Sequence, residues 1–275
     1  MQMISIPDGT AVPALGQGTW MMAEDPAARA AEIAALREGI DLGLTLIDTA
    51  EMYADGASEE LVGEAIAGMR EQVFLVSKAY PHHASADALP RACEASLKRL
   101  GTDRLDLYLL HWRGRVPLAE TVEAMERLVD SGKILRWGVS NLDADDMAEL
   151  VEVGGAACQT DQILYNLTRR GPEHDLIPWL AARRMPVMAY SPVEQGRLLD
   201  HAGLRRIAED RGATPAQVAL AWLLGKGVIA IPKAGSAAHV RENRAAADLE
   251  LTTEERAALD AAFPAPRGPV PLEML

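Results

Sequence analysis

The chain has 275 residues, of which 49% are hydrophobic, 24% charged and 4% aromatic. That apolar fraction excludes a disordered chain, and the scattered 22 Gly and 16 Pro exclude a collagen-like or low-complexity fibre. A net charge of −13 argues against unassisted nucleic-acid binding, which needs a basic face, but it leaves room for one phosphate held by local donors. Cys93 and Cys158 are too few for a disulfide framework and fit a reducing compartment. No apolar run approaches the ~18 residues of a membrane span, and the N-terminus lacks the basic start and apolar stretch of a secretory signal. A cytoplasmic protein with no membrane partner is expected.

Met3–Ile6 and Ala11–Ala14 flank the turn signal Asp8-Gly9 and predict a small hairpin. A weak strand follows at Leu15–Trp20, and Pro26 opens a helix over Ala27–Leu42 with Ile33, Leu36 and Ile40 on one face. Short apolar runs then recur at Leu44–Ile47, Val73–Val76, Leu105–Leu110, Ile134–Val139, Gln159–Leu164, Pro186–Ala189 and Val228–Ile231. Most are apolar almost throughout, as parallel strands buried on both faces are. Between and after them, helices are expected from Ser85/Asp87 to Leu100, over Leu118–Val129, and from Ala144 and Glu173. Others are expected from Thr214-Pro215 to Leu224, over Ser236–Ala247 and over Thr252–Ala262. Eight strands alternating with helices predict an α/β fold of the (β/α)8 barrel type, in one domain spanning residues 1–275. The N-terminal hairpin, an extra C-terminal helix and the Pro-rich tail Pro264–Leu275 are additions to it.

Active sites of such barrels lie at the C-terminal ends of the strands. The second strand ends in Asp48, with Tyr53 in its loop; the third ends in Lys78 and the fourth in His111. A tyrosine is a poor acid near pH 7, but a neighbouring ammonium favours the phenolate, and a carboxylate keeps that ammonium charged and in place. The set can protonate an oxygen, and a histidine beside it can hold a carbonyl. It contains no obvious nucleophile and no metal-ligand set, so its chemistry calls for a hydride donor. Singly, each residue has a plainer reading: Asp48 with Lys78 as an ion pair sealing the barrel top, His111 as a core histidine, Tyr53 as a surface aromatic. Their places at successive strand ends favour function. The eighth strand ends in Ile231-Pro232-Lys233 and runs through Ala234-Gly235-Ser236 into a helix, where backbone N–H groups beside a lysine make an anion site. Gly16-Gln17-Gly18 lacks a third glycine, Gly132-Lys133 lacks the upstream glycine of a P-loop, and His82-His83 reads as a solvated pair rather than a metal site.

The sequence resembles the aldo-keto reductases over essentially its full length. The matching residues are Gly18-Thr19-Trp20, Ile47-Asp48-Thr49-Ala50-Glu51-Met52-Tyr53, Ser77-Lys78 and Leu109-Leu110-His111-Trp112. They continue with Gly138-Val139-Ser140-Asn141, Gln162, Tyr190-Ser191-Pro192 and Ile231-Pro232-Lys233. The resemblance implies NADPH, with NADH as an alternative, bound across the barrel mouth for reduction of a small carbonyl substrate. It gives Tyr53 the part of general acid, Lys78 and Asp48 that of lowering its pKa, and His111 that of orienting the carbonyl. Ser140, Asn141 and Gln162 match positions that hold the nicotinamide carboxamide, Tyr190 the ring it stacks on, and Glu242 and Asn243 adenine contacts. Lys233 matches a 2′-phosphate contact, and Gly18, Thr19, Trp20, Ser191, Gln195, Gly196, Ile231 and Ser236 fall on the same cofactor path. His239 stands where strongly NADPH-selective members carry arginine, and Arg244 is a second cation nearby in sequence. Trp20, Tyr80 and Trp112 match substrate-walling aromatics; the short loop Trp112–Arg115 and short tail suggest an open pocket. Within the family the chain is most similar to bacterial reductases of methylglyoxal and similar 2-oxoaldehydes. A monomer or weak homo-oligomer is expected. A nucleotide-binding redox sensor or regulatory subunit, which potassium-channel β-subunits of this family resemble, is the competing expectation.

Overall fold

A computed structural model describes residues 1–275. β1 (Met3–Ser5) and β2 (Ala11–Pro13) form the expected antiparallel hairpin, with Ile4 opposite Val12. Eight parallel strands follow: β3 (Gln17–Gly18), β4 (Leu46–Asp48), β5 (Phe74–Ala79), β6 (Leu107–Leu110), β7 (Trp137–Ser140), β8 (Asp161–Leu164), β9 (Val187–Tyr190) and β10 (Ile229–Ala230). Each pairs with the next in sequence. Bridges from Leu15 to Ala230 and from Gly18 to Lys233 join the last strand to the first, so the sheet closes. The Gly18 amide donates to the Pro232 carbonyl at 3.0 Å. Closure is tight there: a Cβ on Gly18 would lie 2.7 Å from the Ile231 carbonyl oxygen. The (β/α)8 barrel read from the sequence is the fold.

The helices are α1 (Arg29–Asp41), α2 (Ala57–Ile66), α3 (Ala88–Leu100), α4 (Leu118–Asp130), α5 (Ala144–Glu152), α6 (Leu176–Ala181), α7 (Ala202–Arg211), α8 (Pro215–Gly225), α9 (Ala237–Ala245) and α10 (Thr253–Ala262). None is long and apolar enough to cross a membrane. Two of them, α2 and α7, have no counterpart in the sequence reading. α2 follows Gly56 (φ 91°) without a side-chain cap, and α7 is capped by the His201 ring, so neither carries an ordinary start signal. Conversely, Thr214 and Thr252 form full capping boxes with Gln217 and Glu255 at the helices the sequence placed there. The expected strand Leu15–Trp20 narrows to Gln17–Gly18, and Ile134–Val139 shifts to Trp137–Ser140 because Ile134 makes only a single bridge to Leu105. The helix expected from Glu173 starts at Leu176, whose amide is capped by Asp175.

Two apolar regions hold the barrel. The larger, 62 buried residues, lies between strands and helices. The smaller fills the barrel interior with Leu46, Val76, Leu107, Leu109, Met188, Ile229 and Ile231, and the hairpin residues Ile6 and Val12 join it. The hairpin thus plugs the barrel base, and at about 1.5–3 kcal/mol per buried aliphatic side chain its two residues contribute measurably to closing it.

Candidate active site and nucleotide shelf

Strand periodicity builds the site. Side chains two residues apart share a face, so the positions two beyond the interior residues Leu46, Val76, Leu109 and Met188 also point into the barrel, one layer nearer its mouth. Those positions are Asp48, Lys78, His111 and Tyr190. Four inward side chains able to carry polar chemistry therefore sit on an apolar floor.

They meet as the sequence implied. The Lys78 ammonium, fully buried, donates to Asp48 Oδ2 at 2.7 Å, to the Thr49 carbonyl at 2.9 Å and to the Tyr53 hydroxyl oxygen at 3.0 Å. Gln162 Nε2 donates to the other Asp48 oxygen at 2.7 Å, so the carboxylate is held on both sides. The Tyr53 and His111 rings stand edge to face with centroids 5.9 Å apart. Burial raises the Tyr53 pKa, the Lys78 ammonium pulls it back down, and the Asp48 charge raises it rather than helping to lower it as the resemblance implied, so the net shift is upward. The hydroxyl therefore keeps its proton near neutrality. Burial alone would lower the Lys78 pKa, but Asp48 and Tyr53 outweigh it and the group stays charged. Burial, aided by the Lys78 charge, lowers the His111 pKa to about 2. His111 is therefore a neutral imidazole, and its buried Nδ1 has no hydrogen-bond partner.

The opposite side of the mouth is a shelf of groups paired with one another. Tyr190 Oη donates to Asn141 Oδ1 at 2.9 Å, Asn141 Nδ2 donates to Ser140 Oγ at 3.0 Å, and Ser140 Oγ donates to the Gln162 carbonyl at 2.7 Å. Asn141, Ser191 and Gln195 have φ of 59°, 50° and 55°, left-handed conformations that non-glycine residues adopt at a cost of order 1–3 kcal/mol each. Gly196 takes φ 88° without that cost. Across the mouth, Thr19 is buried and its hydroxyl donates to the Asp48 carbonyl at 3.0 Å, while Trp20 is exposed. Gly18, Pro232, Ala234, Val240 and Asn243 line a narrow groove behind them. Ser236 caps α9, with the His239 amide donating to its hydroxyl at 3.4 Å, and Lys233 is exposed beside this helix start.

A sequence profile of the "Aldo/keto reductase family" matches residues 14–263. The chain belongs to the aldo/keto reductase family. The chain is 55% identical to methylglyoxal reductase YeaE of Escherichia coli (strain K12), over all of this chain and 99% of that protein. It is 33% identical to the glyoxal reductase of Bacillus subtilis (strain 168), with 99% and 97% coverage. The crystal structure of an aldo-keto reductase from Klebsiella pneumoniae in complex with NADPH superposes with a TM-score of 0.97 at 54% identity, covering 100% of this chain and 99% of that one.

Not every residue matched to a reductase position is free to serve there. Glu242 accepts from Thr214 Oγ1 at 2.6 Å and so supports the start of α8. Arg244 is engaged with Asp248 and the Leu42 carbonyl, which leaves His239 exposed near the helix start together with Lys233. Tyr80 and Trp112 do meet edge to face, 5.9 Å between centroids. His83 is not simply solvated: its Nδ1 lies 2.9 Å from Glu51 Oε1, which also accepts the Tyr80 amide at 2.6 Å. The Glu51 carboxylate thus ties the Tyr53 loop to the aromatic wall of this reductase. Glu194 is the largest omission of the sequence reading. Only 4% exposed, it receives hydrogen bonds from Asn166 at 2.7 Å, Arg169 at 2.8 Å and Arg197 at 2.9 Å, and itself has φ 49°. It organises the loop carrying Ser191, Gln195 and Gly196. A Glu inside a polar loop carries no periodic signal, and only its partners Asn166 and Arg169 from the loop after β8, with Arg197 three residues on, reveal it.

Proposed function

We propose that this reductase uses NADPH to reduce small aldehydes and 2-oxoaldehydes of the methylglyoxal type to alcohols, with Tyr53 as general acid. The observation that carries this is the buried Lys78 ammonium touching Asp48 and the Tyr53 hydroxyl at once. The names of the relatives and the NADPH complex of the Klebsiella protein point the same way. The residues present suit the nucleotide: an open helix start with Lys233 for a phosphate, and an amide-rich shelf of Ser140, Asn141 and Gln162 for a carboxamide. NADPH, when bound, supplies the hydride that adds to the carbonyl carbon. Tyr53 delivers its proton to the carbonyl oxygen. Lys78 stabilises the phenolate left behind, and Asp48, gripped by Gln162, keeps Lys78 in place. Neutral His111 offers the carbonyl oxygen a hydrogen bond without adding a second positive charge beside Lys78. Trp20, Tyr80 and Trp112 wall the substrate. Purified protein, NADPH and a panel of short aldehydes, followed at the cofactor's absorbance, tests the reading. Nucleotide binding without oxidation by any aldehyde would replace it with a sensor role.

A further inference from the structure

We propose that Glu32 is a cofactor-specificity residue that holds back the preference for NADPH over NADH. The assignment rests on the nucleotide reading above, and in particular on Lys233 as the phosphate contact. Glu32 lies in α1, which packs against α9, and is 5% exposed. One carboxylate oxygen, Oε2, accepts the amide of Ala23 at 2.9 Å. The other, Oε1, has no hydrogen-bond partner. It points at the Gly235 backbone: a Cβ built on Gly235 would lie 3.1 Å from Lys233 Nζ and 3.8 Å from Glu32 Oε1. The ammonium expected to meet the 2′-phosphate and an unpaired carboxylate oxygen therefore border the same glycine, just before the N-terminus of α9. No ion pair joins them, so neither charge is spent on the other.

Opposite demands follow for the two nucleotides. A phosphate drawn to Lys233 and the α9 amides enters the field of the Glu32 carboxylate, which is only 5% exposed, and like charges repel. A 2′-hydroxyl is a donor, and the free Oε1 can accept it. Glu32 thus penalises NADPH and supports NADH, in the same direction as His239 standing where a guanidinium would favour phosphate more strongly. A Cβ at Gly235 would crowd the flexible end of Lys233 and only touch Glu32 Oε1.

Two variants test the assignment. Glu32→Gln removes the charge while its amide oxygen still accepts the Ala23 N–H. Glu32→Asp keeps the charge but withdraws it by one methylene. Dissociation constants for NADPH and NADH are read from quenching of tryptophan fluorescence at low and at physiological salt. The ratio of NADPH to NADH affinity should rise about tenfold in Glu32→Gln, the equivalent of ~1.4 kcal/mol, mostly through tighter NADPH. The rise should be smaller in Glu32→Asp, and in both it should shrink as salt is added. An unchanged ratio in either folded variant overturns the assignment, whatever happens to the absolute affinities, because a carboxylate that only supports the Ala23 loop would move both nucleotides together. Failure of the unmodified protein to bind either nucleotide overturns the reductase reading itself, whereas normal binding with an unmoved ratio overturns Glu32 alone.

Discussion

The two halves of the barrel mouth are built on opposite principles. On the side of β4, β5 and β6, Asp48, Lys78 and His111 are buried at regular strand ends, and Lys78 already touches both Asp48 and the Tyr53 hydroxyl. On the side of β7 to β10, the polar groups hold one another, and the loops that carry them bend through left-handed conformations. Four non-glycine residues with positive φ, Asn141, Ser191, Glu194 and Gln195, lie in the loops after β7 and β9; on the other side the strand ends are regular, and only the loop that carries Tyr53 bends this way, at Ala54 and Asp55. The difference matches the roles proposed above for the two halves. Proton transfer needs a fixed hydroxyl in a dry setting, where electrostatic preorganisation is strongest. A nucleotide must enter and leave, so its shelf needs groups that exchange internal partners for ligand contacts at little net loss.

Substitutions on the catalytic side should therefore act on chemistry, and those on the shelf on binding. The largest effect is expected for Tyr53→Phe, which removes the proton donor and leaves Lys78 on Asp48 and Thr49. General acids contribute roughly 10²–10⁴-fold, so kcat should fall by that factor while the nucleotide dissociation constant stays within about twofold. A Phe variant that retained most of its kcat would remove Tyr53 from the mechanism.

Lys78→Met should cost both rate and stability. It strands Asp48 in a buried site with only Gln162 as partner, and breaking a buried pair from one side costs about 3–5 kcal/mol, which urea unfolding can measure. The pH profile separates this from mere unfolding. Lys78 pulls the Tyr53 pKa down against the burial that raises it, so without Lys78 the pKa rises further. Tyr53 acts while protonated, and activity is lost as pH climbs through its pKa. The alkaline limb of kcat should accordingly move to higher pH in the Met variant, at a lower plateau because a weaker acid transfers its proton more slowly. His111, with its pKa lowered to about 2, should add no acid limb to either profile.

On the shelf, Lys233→Met should weaken NADPH about ten- to a hundredfold and leave NADH nearly unchanged, because a hydrogen bond to a charged group is worth roughly 1.5–3 kcal/mol and NADH lacks the phosphate. Equal losses for both nucleotides would make the lysine structural. Glu194→Gln draws the complementary line. It discharges the carboxylate that Arg169 and Arg197 grip and loosens a loop already bent through positive φ at Ser191, Glu194 and Gln195. Both nucleotides should lose affinity by about the same factor, roughly five- to twentyfold, the equivalent of ~1–1.8 kcal/mol. A selective loss of NADPH would place the 2′-phosphate at this loop instead.

The two halves also differed in how far the sequence revealed them. Asp48, Lys78 and His111 terminate apolar strands, so their convergence followed from barrel geometry alone, and the structure adds only the distances. Tyr53 was read from its place in the loop after the second strand, and the resemblance added its part as general acid. The shelf was named residue by residue from resemblance, yet what holds it was invisible. Glu194 reaches partners 25 and 28 residues upstream, and Glu32 and Lys233 come together only when the last strand closes on the first. Helices α2 and α7 escaped for a related reason: their starts are set by a left-handed glycine and by a histidine cap, not by the Ser, Thr or Asp that usually announces one.

The smallest expected effect tests the shelf at its edge. His239 is the third residue of α9, exposed, with its backbone already donating to Ser236. Replacing it by arginine places a guanidinium fork within reach of an anion at the helix start, and that fork suits a phosphate better than an imidazole does. The helix itself resists the change. A cation in the first turn opposes the macrodipole by about 0.3–1 kcal/mol when no anion is bound. The dipole cost falls on the free protein and on the NADH complex alike, whereas a bound 2′-phosphate neutralises it. His239→Arg should therefore lower thermal stability slightly without nucleotide, regain it with NADPH but not with NADH, and tighten NADPH about three- to tenfold, a gain of ~0.7–1.4 kcal/mol. Melting curves with each nucleotide read both halves of that expectation. An equal rise in melting temperature for NADPH and NADH would mean the arginine never meets the phosphate, and that the anion is held by Lys233 and the α9 amides without help from this position.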